Sequence, residues 1–104
     1  MASACGNDMP YEQAYEYAIG LAHHSSASFL EPLTQAAYAD VPVSYVLCEQ
    51  DLVVVPEAQK GFIKVLEEGS GKEVRVVKLQ SGHCPNWSRP EELAGVLGEL
   101  AVGE

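Results

Sequence analysis

The sequence predicts an α/β fold: two parallel strands with flanking helices, in the order helix, helix, strand, helix, strand, helix. Three observations carry this. Residues 43–48 (VSYVLC) form a short, nearly continuous apolar run of β-branched and aromatic residues, the pattern of a strand buried on both faces of a parallel sheet. Residues 73–79 (EVRVVKL) form a second strand, with Arg75 and Lys78 set among valines. The stretch between them is helical, so the three together read as a right-handed parallel strand–helix–strand unit.

The first nine residues are small and polar and are expected to be loose. Residues 10–22 read as a helix, because Tyr11, Ala14, Tyr15, Ala18 and Leu21 or Ala22 recur at helical spacing, with Gly20 weakening the last turn. His23-His24-Ser25-Ser26 is a polar break. A second helix is predicted from Ser25 or Ser26, as N-cap, to about Tyr38, with Phe29, Leu30, Leu33, Ala36 and Ala37 as its apolar stripe. Pro32 lies inside it and either starts the regular helix or kinks it. Asp40–Pro42 is a turn into the first strand.

Glu49-Gln50-Asp51 is a polar loop, and Leu52–Val55 is apolar. Pro56 suits the first position of the central helix, where its missing N–H costs nothing. That helix runs to about Glu68 with Phe62, Ile63, Val65 and Leu66 inward, and Gly69 is the expected terminating residue, with Gly71 loosening the turn. After the second strand, residues 80–88 form a loop. Ser88-Arg89-Pro90-Glu91 has the spacing of a capping box, and the last helix carries Leu93, Val96, Leu97 and Leu100. Two parallel strands alone leave both edges open and one face uncovered, so the chain reads as a piece of a wider sheet that self-associates through its open strand edge.

Composition narrows the function classes. The 104 residues suffice for one small domain, and 47% hydrophobic residues argue against disorder. Fifteen acidic against six basic residues give a net charge of −9, which argues against nucleic acid and anionic membrane surfaces as partners. Cys5, Cys48 and Cys84 are odd in number and widely spaced, with no C-x-x-C, so reduced intracellular thiols are expected rather than a disulfide framework. Neither a signal peptide nor an apolar run of membrane-spanning length is visible, which makes a soluble cytoplasmic protein the expectation.

In open parallel sheets the reactive groups gather beyond the carboxyl ends of the strands. Asp51 follows the first strand and His83 follows the second, so both fall at one end of the sheet on adjacent strands. A carboxylate there can accept from one imidazole nitrogen and leave the other free to take a proton from a hydroxyl nucleophile. A loop aspartate and a loop histidine also serve as caps or surface groups. His23, His24, Cys48, His83 and Cys84 do not have metal-ligand spacing, and neither a metal nor any other cofactor is expected. Cys84 reads as a buried or idle thiol. Trp87 either lines a substrate entrance or packs beneath the last helix.

The segments VPVSYVLCEQDLVVVPEAQ and VRVVKLQSGHCPNWSRPEEL, joined by a helix, resemble the last third of the α/β-hydrolase fold. The family places its acid in a G-x-x-D-x-x-x-P type segment and its histidine in a G-H-x-P type segment. Asp51 falls on the first position and His83, after Gly82, on the second. Residues 10–39 resemble the end of the cap region and the helix that follows it, and residues 40–104 the core. The flavour is that of a fungal branch related to hydroxynitrile lyases and methyl esterases, and that likeness suggests a role in fungal secondary metabolism. Cys48 stands where the family usually has glycine, and Val55 where a second proline is frequent. The resemblance implies an ester-cleaving enzyme acting on a small ester-like substrate, with Asp51 and His83 catalytic. The family's nucleophile sits in a G-x-S-x-G elbow, and no such sequence occurs among these residues. The expectation is therefore a hydrolase-like chain that is inactive alone. It is either completed by a nucleophile-bearing part, as in a split hydrolase or lyase, or is a non-catalytic remnant that acts by binding.

Overall fold

A computed structural model describes residues 1–103. Its elements are α1 (Ala2–Cys5), α2 (Tyr11–Ile19), two 3-10 turns (Ser26–Phe29 and Ala37–Ala39), β1 (Ser44–Cys48), α3 (Pro56–Ser70), β2 (Arg75–Leu79), α4 (Pro85–Ser88) and α5 (Pro90–Gly103). The two strands pair in parallel, with Ser44 opposite Arg75 and Cys48 opposite Leu79. The expected α/β architecture is present, and among the described residues neither strand has a second strand along its outer edge.

α3 follows its sequence closely. Pro56 occupies its first turn, and the chain leaves it at Gly71 with φ 72°, a left-handed conformation that only glycine adopts cheaply. The terminating glycine is thus Gly71 and not Gly69, which stays within the helix against Tyr38. Ile63 packs on Leu47 and Val74 to form the core, with Val43, Tyr45 and Leu66 around it. Phe62 and Val65, expected inward, are about half exposed, because the sheet is only two strands wide and covers one narrow face of the helix. For the same reason the strands are buried only at their carboxyl ends, at Leu47, Cys48 and Leu79, and not on both faces throughout.

The expected helix over residues 25–38 does not form. Pro32 has no N–H to donate back into a helical turn, and the stripe such a helix would have buried stays in solvent: Phe29, Leu30 and Leu33 are 76%, 86% and 83% exposed. Only the two 3-10 turns remain, with the Ser28 hydroxyl donating to the Ser25 carbonyl at 2.7 Å. α2 stops at Ile19, short of residue 22, and Gly20 caps it in right-handed conformation. Its Ala14 is fully buried, whereas Tyr11 and Tyr15 are exposed.

The segment before Pro10, expected to be loose, is ordered by contacts the sequence did not announce. α1 packs against α2 and buries Ala2 and Cys5. Asn7 then reaches the loop after β1, and Asp8 the loop after β2. No helix among the described residues is long and apolar enough to cross a membrane.

Candidate active site

The site grows out of the carboxyl end of the sheet. Pairing continues past both strands, with the Glu49 N–H donating to the Leu79 carbonyl at 2.9 Å and the Gln50 N–H to the Ser81 carbonyl at 3.0 Å. The two polar loops are thereby held edge to edge, and Asp51 and His83 meet. His83 Nδ1 lies 3.0 Å from Asp51 Oδ2 and 3.2 Å from Oδ1. Since an ionised carboxylate only accepts, the geometry assigns the proton to Nδ1 and leaves Nε2 with its lone pair when the ring is neutral.

Asp51 is itself fixed from below. Its Oδ1 accepts the backbone N–H groups of Val53 at 2.8 Å and Val54 at 3.0 Å, a local turn typical of aspartate. Only 5% of the residue is exposed. Burial by itself raises its carboxyl pKa. The hydrogen bond from His83 and those from Val54 and Val53 act the other way and prevail, so the group sits below its ordinary value and stays ionised.

Two supports were invisible in the sequence. Gln59, on the inner face of α3 and 2% exposed, accepts from the Cys48 N–H at 2.9 Å and donates to the carbonyls of Cys48 and Val54, both at 2.8 Å. It clamps the end of β1 to the far side of the Asp51 loop. Asp8 Oδ2 accepts the Gly82 N–H at 2.8 Å and the Ser88 hydroxyl at 2.7 Å, with Arg89 3.9 Å away. Asn7 donates to the Gln50 carbonyl at 2.9 Å. A Cβ at Gly82 would meet Asn7 Oδ1 and stand 2.8 Å from Asp8 Oδ1, so a side chain there would push Asn7 and Asp8 off their bonds to Gln50 and Gly82. Ser88 therefore serves Asp8 and not the expected capping box.

Trp87 belongs to α4, a turn of helix inside the expected loop. Its ring stacks on Tyr17 of α2 at 5.4 Å between centroids, so it is held by α2. Cys84 is half-buried. Burial, followed by the nearby Cys5 and the charges of Asp51 and Asp8, pushes its thiol up to about 11, which keeps it protonated. His23 and His24 stay in the exposed segment after α2, where His24 bonds the Ser25 carbonyl and lies over Phe29. A cavity of about 360 Å³ lies at the opposite end of the sheet, between Tyr38, Val43, Ser70, Val74 and Leu100. It faces the amino ends of the strands, away from the Asp51–His83 pair.

The profile described as the Alpha/beta hydrolase family matches residues 2–96. The chain belongs to the α/β-hydrolase family. It is 61% identical over 100 residues to Probable hydrolase R7 of Phoma sp. (strain ATCC 20986 / MF5453), a match that takes in 96% of this chain and 41% of that protein. It is 37% identical over 70 residues to Alpha/beta hydrolase nvfD of Aspergillus novofumigatus (strain IBT 16806), over 67% of this chain and 26% of that protein. The chain thus spans well under half the length of either α/β-hydrolase relative, which agrees with a two-stranded piece of a wider sheet.

Proposed function

We propose that this chain contributes the acid and the histidine of an ester-hydrolase-like site and does not cleave esters by itself. The observation that carries the reading is the Asp51–His83 hydrogen bond at 3.0 Å, with the carboxylate buried and held by two further N–H donors. Asp51 orients the ring and stabilises the imidazolium. Nε2 accepts a proton from a serine hydroxyl as it attacks the ester carbonyl, then returns it to the leaving alcohol. A small ester is the substrate class we propose; membership of the family and a relative named a hydrolase support a hydrolytic reaction.

The serine is the missing member. None of the eight serines lies in a G-x-S-x-G setting. The thiols near His83 do not replace it, since Cys5 is buried and Cys84 is held protonated. Removing a nucleophile leaves only residual catalysis that relies on an oxyanion hole.

The test is hydrolysis of a chromogenic short-chain ester. The purified chain should show no turnover above that of its His83→Ala variant. Co-expression with the part of the Phoma relative that this chain does not match should give ester cleavage that Asp51→Ala and His83→Ala each abolish. Turnover by the isolated chain that depends on His83 would overturn the reading.

A further inference from the structure

Three soft or borderline donors meet beside the acid–histidine pair. The ligand atoms of Cys5, His83 and Cys84 all lie within 4.8 Å of one another, with Cys5 buried and the other two half-buried. A tetrahedral zinc ion with Zn–S of about 2.3 Å and Zn–N of about 2.0 Å needs its donors roughly 3.5–3.8 Å apart. Donors up to 4.8 Å apart have to draw in by about 1 Å to reach that spacing. Cys5 comes from the segment before α2, while His83 and Cys84 come from the loop after β2. Two hydrogen bonds to Asp8 tie these parts together, one from the Gly82 N–H and one from the Ser88 hydroxyl.

The surroundings suit a cation. Histidines that bind metal usually give their other ring N–H to a carboxylate, which fixes the tautomer and raises the basicity of the ligating nitrogen. Asp51 already occupies Nδ1, so the free nitrogen available to an ion is Nε2. The charges of Asp51 and Asp8 that, after burial and Cys5, disfavour a Cys84 thiolate are the same charges that favour a divalent ion beside it.

We propose that Cys5, His83 and Cys84 form a three-ligand site for zinc or a similar thiophilic divalent ion, with water in the fourth position. On binding, each thiol loses its proton to the buffer and its sulfur forms a bond to the metal, while Nε2 donates its lone pair. Two protons are released per ion, and the thiol that Cys5 now directs at Met1 Sδ, at 3.4 Å, turns to the metal instead. Binding does not depend on the hydrolase-like reading, but it occupies the nitrogen that reading needs as a base, so zinc would inhibit a completed enzyme.

The test uses Co²⁺ as a spectroscopic probe on the reduced chain in the absence of oxygen. One Co²⁺ per chain should give the intense visible bands of a tetrahedral ion and a thiolate charge-transfer band, and Zn²⁺ should displace both. Cys5→Ser and Cys84→Ser should each remove most of the charge-transfer intensity. Asp51→Asn should weaken binding roughly 10–100-fold, the usual cost of losing the carboxylate behind a ligating histidine. Should a serine variant fail to fold, X-ray absorption of the zinc-loaded wild-type chain decides: the bound ion should show two sulfur neighbours at about 2.3 Å beside lighter nitrogen or oxygen neighbours. A weak octahedral Co²⁺ spectrum, or a zinc ion with no sulfur neighbours, would sink the proposal.

Discussion

Asp8 accepts the backbone N–H of Gly82 at 2.8 Å across 74 residues of chain, and this bond ties the segment before α2 to the loop that carries His83. The same oxygen takes the Ser88 hydroxyl, while the other carboxylate oxygen, Oδ1, is buried with no hydrogen-bond partner among the described residues. Asp8→Ala leaves two donors unsatisfied and should cost about 1–3 kcal/mol of stability. Asp8→Asn keeps an acceptor for Gly82 and Ser88 and removes a charge that is incompletely paired, so it should cost clearly less. Urea unfolding of the two variants measures the difference. Equal losses would show that the charge, and not the acceptor, holds the loop.

Asp51 makes stability depend on acid. Burial opposes its ionisation, but the bonds from His83, Val54 and Val53 hold its folded pKa below the ordinary 3.8. A carboxyl depressed in the folded state contributes stability above its unfolded pKa and loses it as pH falls through the folded one. Asp51→Asn should therefore be less stable than wild type at pH 7, by roughly 1.5–3 kcal/mol, the range for hydrogen bonds to a charged group. The gap should close as pH falls below the ordinary carboxylate range. Unfolding midpoints of both proteins along a pH series test this, and a gap independent of pH would contradict it.

The acid–histidine pair was legible because strand direction is enough to locate it: two parallel strands put their following loops at one end, whatever packs around them. Asp8 and Gln59 were not legible. A glutamine in an amphipathic helix looks like a solvent residue, and only the fold shows that position 59 stacks with Ile63 on the face turned to β1. Asp8 lies in a polar segment with no periodicity, and its partners are distant in sequence. Residues 25–38 misled in the other direction. Their apolar stripe has helical spacing, but a stripe forms a helix in water only when something buries it, and Leu30 and Leu33 stay exposed.

Gln59 offers the sharpest stability test. Its amide satisfies both backbone groups of Cys48 and the Val54 carbonyl in a buried place. Gln59→Leu preserves most of the volume but strips partners from those groups, for a loss of about 1–3 kcal/mol by the usual cost of an unsatisfied buried group. Amide exchange should speed up at Cys48, Val53 and Val54, since the clamp and the Asp51 turn share the same loop. A variant as stable as wild type, with unchanged exchange, would mean that water replaces the amide.

The open sheet edge predicts self-association, and the two edges are not equivalent. β2 carries Arg75 and Lys78, the kind of charge that blunts an edge, whereas β1 (SYVLC) has no charge and no proline. β1 is therefore the edge expected to pair with a second copy. A net charge of −9 opposes the approach, and salt screens it, the Debye length falling from about 10 Å at 0.1 M to about 3 Å at 1 M. Sedimentation velocity should show association that grows with protein concentration and with salt. Val46→Lys should suppress it by placing a charge in the pairing strand. Joint replacement of Phe29, Leu30 and Leu33 by serine separates the edge from the apolar patch those residues expose: if that variant is the one that stays monomeric, the patch and not β1 joins the copies.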